Sequence, residues 1–270
     1  MRSSFRHPFL GSGRRCREIC VGPRRRDPGR GDPADLPRGA FRAVAADPDA
    51  GRGRGAVSAL VAERLSHWFG SDPALDSVDL LVDRGDHVAI LGENGAGKTT
   101  LLRILATAIR PSSGKLEIMG LDALRERRRL RGRIGYVAHT PGLYPALTAA
   151  ENLAFFCDLR GADRERVPEM LDLAGLSQVA RKRASELSRG MQQRLAIARA
   201  VMHDPLLLIL DEPDASLDAE GPELLVRVMK DRTTVLATHD QALATRLCQR
   251  TVVLRRGRVF GAGSRLRVVQ

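Results

Sequence analysis

The chain of 270 residues is long enough for one domain, or a domain with a subdomain, around a sizeable buried core. Its formal net charge is +12, of which residues 1–55 contribute +7 through 13 arginines and six acidic residues. The rest of the chain shows no basic stripe interleaved with aromatic residues, so the sequence predicts no nucleic-acid partner. Apolar runs such as residues 206–210 fall far short of the roughly 18–20 residues that cross a bilayer, which favours a soluble or peripheral protein.

Residues 1–57 are rich in arginine, glycine and proline and show no apolar periodicity, so the sequence predicts a disordered extension there. A start codon placed too early, or a basic tail for an acidic membrane surface, would give the same composition. The segment has no apolar h-region and does not predict a signal peptide. The four cysteines show neither zinc-ligand spacing nor a disulfide framework, which favours a reducing cytoplasm.

From about residue 58 the sequence alternates between strand-like and helix-like segments. Strands are predicted for SVDLLV, HVAILG, KLEIMG, IGYVA, LLLILD and TTVLATH, and a hairpin for TVVLRRGRVFGAG. A helix is predicted from Lys98 to a stop at Pro111, and another for QALATRLCQ. Residues 148–203 are predicted to be mostly helical. The pattern indicates an α/β nucleotide-binding core over 58–262, interrupted by a helical subdomain at about 140–203 and followed by a C-terminal tail at 263–270.

The segment GENGAGKTT matches the phosphate-loop pattern G-x-x-x-x-G-K-[ST] between a predicted strand and a predicted helix. Its glycines let backbone N–H groups turn toward phosphates, and the helix N-terminus adds partial positive charge. Lys98 can neutralise β- and γ-phosphate charge, and the Thr99 hydroxyl can reach Mg²⁺. A glycine-rich turn that happens to precede a lysine is the alternative. The predicted phosphate-binding residues are Gly92, Glu93, Asn94, Gly95, Ala96, Gly97, Lys98, Thr99 and Thr100.

Asp211 and Glu212 end the buried strand LLLILD, at the edge of an α/β sheet where ligands bind. Asp211 can orient the ligand shell of Mg²⁺, and Glu212 can act as general base on an attacking water. Two acids that merely cap a strand are the alternative, which the upstream phosphate loop and the immediate Pro213 disfavour. Between the two motifs, Ser188 precedes a predicted helix, and a serine and a glycine at a helix N-terminus can bind an anion.

Taken together, these motifs resemble the ATP-binding subunit of ABC transporters. The phosphate loop, LSRGMQQR, LLLILDEP, SLD at 216–218 and TH at 238–239 come in that family's order. The resemblance covers about residues 58–262 and implies a P-loop NTPase cassette with a RecA-like core, an antiparallel β subdomain and an inserted helical subdomain. LSRGM departs from the usual LSGGQ at Arg189 and Met191, and this variant resembles exporter-type subunits.

The resemblance implies roles for four further residues. Ser188 and Gly190 would contact the γ-phosphate of ATP across a head-to-tail dimer, so that each ATP needs two chains. Asp218 would tie the two sites together. His239 would hold the γ-phosphate and the catalytic geometry, although a lone histidine after a strand is more often structural.

An adenine contact is implied for the segment HWFG, residues 67–70. Phe69 falls where the family stacks an aromatic ring on adenine. Trp68 is its rival, and either ring could instead belong to the core.

His139 follows the strand IGYVA at the position where the family usually has a glutamine that touches Mg²⁺ and the attacking water. Imidazole can replace that contact, and its charge changes near neutral pH. Three interpretations stay open: a tolerated substitution, a weakened and more regulated site, or membership of a subfamily. GYVAHTPGLYPALTAAENLAFF and DEPDASLDAEG resemble the haem exporter ATPase of cytochrome c maturation, in which a histidine also stands here. One histidine on a strand end does not predict a haem ligand.

The sequence therefore predicts an ATP-hydrolysing subunit, with ATP and Mg²⁺ bound, of an ABC exporter at the cytoplasmic face of the inner membrane. Its expected partners are a second copy of the chain and a membrane-spanning permease, which would dock around residues 141–152. Haem is the expected cargo. A general drug or lipid exporter is the alternative, and a non-transport ABC ATPase of translation or DNA repair is a further one.

Overall fold

The computed structural model describes residues 58–218 and 220–264. Residues 1–57 and 265–270, and with them the predicted extension and nearly all of the predicted C-terminal tail, lie outside the described residues. The described residues form ten strands: β1 (Ser58–Phe69), β2 (Asp72–Asp83), β3 (His87–Leu91), β4 (Ser113–Ile118), β5 (Leu121–Asp122), β6 (Ile134–Val137), β7 (Leu207–Asp211), β8 (Thr233–Ala237), β9 (Arg250–Arg255) and β10 (Arg258–Ser264).

The same residues form seven α-helices and three short 3₁₀ turns. The helices are α1 (Lys98–Leu105), α2 (Arg127–Arg131), α3 (Ala149–Arg160), α4 (Arg166–Leu173), α5 (Arg189–Val201), α6 (Gly221–Met229) and α7 (Gln241–Leu247). The 3₁₀ turns are Ser177–Val179, Ala184–Glu186 and Pro213–Ser216. Within the described residues, no helix combines the length and the apolar character that a bilayer crossing requires.

The strands pair into two sheets. One is antiparallel, with the order β2-β1-β4-β5, and the other has the order β10-β9-β3-β8-β7-β6. In the second sheet the strands from β9 to β6 run parallel, and β10 pairs antiparallel with β9. Non-consecutive parallel neighbours define an open α/β sheet, whose strands end together at one ligand-binding edge. The α/β prediction is confirmed.

The central strands β7 and β8 are buried at every position, as continuous apolar runs covered on both faces require. Alternate residues of β7 enter two different cores. Leu208 and Leu210 pack in the core that holds helices α3 to α7, whereas Leu207 and Ile209 pack in the core that holds α1 and the antiparallel sheet. The helices therefore bury the two faces of the parallel sheet and leave its edge for the site.

The prediction that the first helix reaches Pro111 is wrong at its C-terminal end, because α1 ends at Leu105. Thr107 adopts a positive φ of 56°, which no α-helix accommodates. Its carbonyl oxygen accepts a hydrogen bond from Arg127 Nε at 3.1 Å. The chain therefore turns out of the helix, and a side chain from α2 holds the turn.

Candidate nucleotide site

The phosphate loop joins β3 to α1 and is packed closely against two strands. A Cβ atom at Gly92 would collide with the backbone carbonyl oxygen of Leu254 on β9. A Cβ atom at Gly97 would lie 2.5 Å from the carbonyl oxygen of Ala74 on β2, and Gly97 has a φ of 102°. Both positions therefore need glycine, and they fix the loop against the sheet at the start of α1.

Lys98 is the buried cation of this loop, with 5% of its side chain exposed. Its Nζ donates hydrogen bonds to the carbonyl oxygens of Gly92 at 2.8 Å and Glu93 at 3.4 Å. It also lies 3.3 Å from Glu212 Oε1. Phosphate oxygens of a ligand can take the place of these carbonyl and carboxylate oxygens around Lys98 Nζ, so the geometry suits a polyphosphate ligand.

Thr99 and Asp211 form a second contact at the same edge. The Thr99 hydroxyl donates to Asp211 Oδ1 at 3.2 Å. Asp211 is 1% exposed, and its Oδ2 has no hydrogen-bond partner among the described residues. Burial, above all, raises the pKa of Asp211, while the Thr99 hydrogen bond opposes this shift.

These oxygen donors fit Mg²⁺. A buried carboxylate oxygen without a partner, beside a hydroxyl, offers the hard ligands that this ion prefers. In the described part of the chain, no three His, Cys, Asp or Glu side chains gather into a metal cluster. An ion at Thr99 and Asp211 would therefore depend on phosphate oxygens for further ligands, as Mg²⁺ commonly does.

Glu212 lies between the loop and the end of β6. Its φ of 48° is unusual for a residue with a side chain, and its N–H donates to Ala237 O at 2.9 Å. This backbone geometry directs the carboxylate to the edge of the sheet, where Oε1 is 3.3 Å from Lys98 Nζ and Oε2 is 3.6 Å from His139 Nδ1. The structure thus brings together Lys98, Thr99, His139, Asp211 and Glu212.

His239 follows β8 and is exposed. It lines a pocket of about 480 Å³ together with Asp214 and Asp218. The neighbouring Thr238 hydroxyl donates to Asp214 Oδ2 at 2.9 Å and accepts from Asp240 N at 3.0 Å, which fixes the turn that carries His239. Within the described residues, no hydrogen bond or ion pair joins His239 to Glu212.

Ser188, Gly190 and Asp218 form a separate group. Ser188 caps α5, and its Oγ accepts from Met191 N at 3.2 Å. A Cβ atom at Gly190 would lie 2.8 Å from Asp218 Oδ2. Asp218 Oδ2 also accepts from Arg194 Nη2 at 3.1 Å. In the described residues, no hydrogen bond or ion pair joins this group to the phosphate loop of the same chain.

Phe69 and Trp68 end β1 and point away from the core. Phe69 is 55% exposed and packs edge-on against His67, with the ring centroids 4.6 Å apart. Trp68 is 42% exposed. The interpretation of either ring as a core residue is therefore wrong, and both remain available to a ligand.

The segment before α3 is fixed by Asn152, which is completely buried. Its side chain accepts from Tyr144 N at 2.8 Å and donates to the carbonyl oxygens of Tyr144, Leu147 and Thr148. Thr148 and Glu151 complete a capping box at the start of α3. Arg194 is not among the predicted site residues, and Asn152 is predicted only as the end of the permease-docking segment, because a polar residue on a helix gives no sequence signal of a buried partner.

Comparison with known proteins agrees with this fold, which is that of an ATP-binding cassette. Residues 75–215 match the family described as ABC transporter. The chain is 38% identical over 215 residues to a probable sulfate/thiosulfate import ATP-binding protein of Chlorella vulgaris, covering 76% of this chain and 91% of that protein. It is 36% identical over 203 residues to the bacitracin transport ATP-binding protein of Bacillus licheniformis, covering 73% and 66% of the two chains.

Two solved structures are similar over most of the described chain. The cassette MJ0796, in a dimeric post-hydrolysis state bound to ADP and Pi, aligns with a TM-score of 0.70 and 29% identity, covering 76% of this chain and 98% of that one. The cbiO1 protein of Clostridium perfringens, part of the complex cbiONQ, aligns with a TM-score of 0.67 and 30% identity, covering 77% and 88%. The chain belongs to the ABC transporter family, as an ATP-binding subunit.

Proposed function

We propose that the chain binds and hydrolyses ATP to drive export through a membrane-spanning permease, at the cytoplasmic face of the inner membrane. The observation that carries the catalytic part is the convergence of Lys98, Thr99, Asp211 and Glu212 at one sheet edge, with Lys98 Nζ 3.3 Å from Glu212 Oε1. Family membership supports the coupling of hydrolysis to transport.

Each residue at this edge has one task in the proposed reaction. The loop N–H groups and Lys98 bind the β- and γ-phosphates, and Thr99 and Asp211 hold Mg²⁺, which neutralises phosphate charge when bound. Glu212 Oε takes a proton from a water whose oxygen attacks the γ-phosphorus in line. A bond forms between this oxygen and phosphorus, the bond to the β-phosphate oxygen breaks, and ADP and phosphate leave.

The histidines hold the geometry of this step. His139 Nδ1, 3.6 Å from Glu212 Oε2, contacts the carboxylate and can orient the water or the ion's ligand shell. His239 holds the γ-phosphate from the end of β8, which requires its exposed ring to turn toward the site. Phe69 stacks on adenine, and its exposure leaves one ring face free for this contact.

A second copy of the chain completes each site. Ser188 and Gly190 at the N-terminus of α5 contact no part of their own phosphate loop in the described residues, so they are available to the γ-phosphate bound by a partner copy. Asp218 would tie the two ATP sites together from its place beside Gly190, where it accepts a hydrogen bond from Arg194. The dimeric state of the similar cassette MJ0796 supports this arrangement.

The permease docks around residues 141–152. Asn152 fixes the backbone of this segment, and Tyr144 is 47% exposed beside it. The complex that contains the similar cbiO1 protein supports a multi-subunit assembly.

We propose haem as the cargo. This proposal is supported by His139 and by the segments that resemble the haem exporter ATPase of cytochrome c maturation. The similar proteins are named for sulfate/thiosulfate import and for bacitracin transport, so both the direction and the cargo rest on that resemblance. A general drug or lipid exporter is the second candidate, which the name of the bacitracin transport relative favours.

The ATPase proposal is tested with Glu212→Gln and Lys98→Ala. Removing the base should lower turnover by about 10²–10⁴-fold, the usual contribution of general base catalysis, while ATP binding and an ATP-dependent dimer remain. Lys98→Ala should lose ATP binding itself. Arg246→Gln, an exposed change on α7, is the control and should match wild type. Undiminished hydrolysis in Glu212→Gln would refute Glu212 as the base, and unchanged ATP affinity in Lys98→Ala would refute the phosphate loop.

A further inference from the structure

Six of the nine residues from 125 to 133 are arginines, and they surround the short helix α2. Five of the six are exposed, and three of these five, Arg128, Arg131 and Arg133, form no ion pair within the described residues. Arg160, the last residue of α3, joins them, because its Nη1 donates to the carbonyl oxygen of Arg131 at 2.6 Å. We call these four residues the α2 arginine surface.

Few acidic side chains neutralise the positive charge of the α2 arginine surface. Arg125 pairs with Asp122 at 3.6 Å and Arg129 with Glu126 at 3.5 Å. None of the four surface arginines has a carboxylate within 4.0 Å in the part of the chain that the structure describes. Asp158, on the same helix as Arg160, is paired with Arg164 instead.

Like charges are held close together on this surface. Burial first, and then the charge of Arg131, lowers the pKa of Arg160. The pKa of Arg127 is lowered by burial and then by Arg131 and Arg110. The positive charges therefore repel one another within the folded chain, and an anionic ligand would relieve this repulsion.

Exposed apolar side chains lie near the arginines along the chain. Leu159 is 64% exposed, Phe155 lies four residues earlier on the same face of α3 and is 39% exposed, and Leu124 before α2 is 38% exposed. Arginines beside exposed leucine and phenylalanine are the composition of a surface that lies at the boundary between lipid headgroups and acyl chains.

Helix α3 relates this surface to the proposed permease contact. Its N-terminus is fixed by Thr148 next to the 141–152 segment, and its C-terminus carries Arg160. Tyr144 of that segment contacts Phe155, with ring centroids 4.8 Å apart. Helix α3 therefore connects the α2 arginine surface to the segment that would meet a protein embedded in a membrane.

We propose that the α2 arginine surface binds the headgroups of anionic phospholipids beside the permease. This inference rests on the proposed function only for the location at a membrane. Arginine binds headgroup phosphates through paired N–H donors, and the nearby leucine and phenylalanine enter the interface. The contact would hold the cassette at the bilayer while its permease contact changes during turnover.

The test is sedimentation of the full chain with vesicles of phosphatidylcholine alone or of phosphatidylcholine mixed with phosphatidylglycerol. The triple variant Arg128→Gln, Arg131→Gln and Arg133→Gln should bind the anionic vesicles about a hundredfold more weakly, at roughly fivefold per arginine. Added salt should weaken wild-type binding steeply and variant binding less. Neutral vesicles should bind all forms equally weakly.

A matched control variant shows whether the position of the removed arginines, or only the loss of net charge, weakens vesicle binding. Arg84, Arg246 and Arg256 are exposed residues outside this surface, and their replacement by Gln removes the same three charges. The control triple should keep most of the vesicle binding. Equal loss in both triples, or no preference of wild type for anionic vesicles, would overturn the proposal. So would a variant that loses binding to an RNA or DNA oligonucleotide while its vesicle binding is unchanged.

Hydrolysis measured without vesicles keeps the two proposals apart. The Arg128/Arg131/Arg133 variant should hydrolyse ATP at the wild-type rate and unfold at the wild-type temperature or slightly above it, because fewer like charges repel. A wild-type chain that does not hydrolyse ATP would refute the proposed function whatever the vesicles show. Normal hydrolysis with no anionic-vesicle binding would refute only the lipid contact.

Discussion

Replacing Arg194 by methionine should destabilise the chain strongly, because this buried arginine connects three segments. Its guanidinium donates to Ala174 O at the end of α4, and its Nη2 lies 3.1 Å from Asp218 Oδ2. Its Nη1 lies 2.7 Å from Glu220 Oε2, just before α6. The side chain is 6% exposed.

The expected cost follows from these contacts. Ala174 O loses a charged donor, which costs about 1.5–3 kcal/mol. The two carboxylates are 39% and 69% exposed, so solvent screens them and each lost pair adds at most about 0.5–1 kcal/mol. Methionine keeps the apolar stem and removes Nε, which has no partner in the described residues. The free energy of unfolding should fall by about 2–4 kcal/mol, which lowers Tm by about 4–16 °C for a domain of this size.

Urea and thermal unfolding, followed by circular dichroism, measure this change. Arg189→Met on the same helix is the control. Arg189 is exposed at the N-terminus of α5, where a cation opposes the helix dipole, so its loss should stabilise by a few tenths of a kcal/mol or leave stability unchanged. A loss below about 1 kcal/mol in Arg194→Met would show that the carbonyl and the two carboxylates are satisfied without Arg194, and would refute the reasoning.

Three further outcomes are expected. Asn152→Ala leaves buried backbone groups around Tyr144 unpaired, so stability should fall by about 2–3 kcal/mol and hydrogen exchange at 142–148 should rise. Burial and then the Arg160 charge lower the pKa of His203, so the unfolded chain binds a proton that the folded chain does not. Stability should therefore fall below about pH 6.5, by up to about 1.4 kcal/mol per pH unit, and His203→Gln should flatten this slope in urea titrations. His139→Gln should keep ATP turnover within about threefold, because a side-chain amide can take the place of the imidazole beside Glu212; a complete loss of turnover would make His139 a requirement.

Elements with one strong local signal could be predicted from the sequence. β7 and β8 are short, continuous apolar runs, which are typical of a strand buried on both faces. The glycines of the phosphate loop approach Leu254 and Ala74 too closely for any side chain. The glycine pattern in the sequence therefore already indicates this close packing of the loop.

β1 was not predictable in the same way. Arg64 has a φ of 48°, and the pairing of β1 shifts register between Ala62 and Leu65. The alternation of buried and exposed residues is therefore broken in the middle of the strand. The early end of α1 has a similar origin, since the turn at Thr107 depends on Arg127, which lies 20 residues away in sequence.

Some residues of the candidate site could also be placed from local sequence, and others could not. Asp211 and Glu212 could be placed at the sheet edge because the ends of parallel strands meet there. The contacts of Asp218 with Gly190 and Arg194 depend on how a loop folds back over α5, and no local pattern encodes this. The distance between His239 and the other site residues is likewise set by the turn at Thr238 and Asp214, which spacing along the chain does not reveal.

The ion pair between Lys98 and Glu212 links nucleotide binding to catalysis. Phosphate oxygens that bind Lys98 compete with Glu212 Oε1 for the same ammonium, which now lies 3.3 Å away. We expect ATP binding to draw Lys98 away from Glu212, so that the carboxylate is free for the attacking water when the phosphate is in place. The same competition explains why Glu212→Gln should retain ATP, since the amide no longer competes as an anion for Lys98.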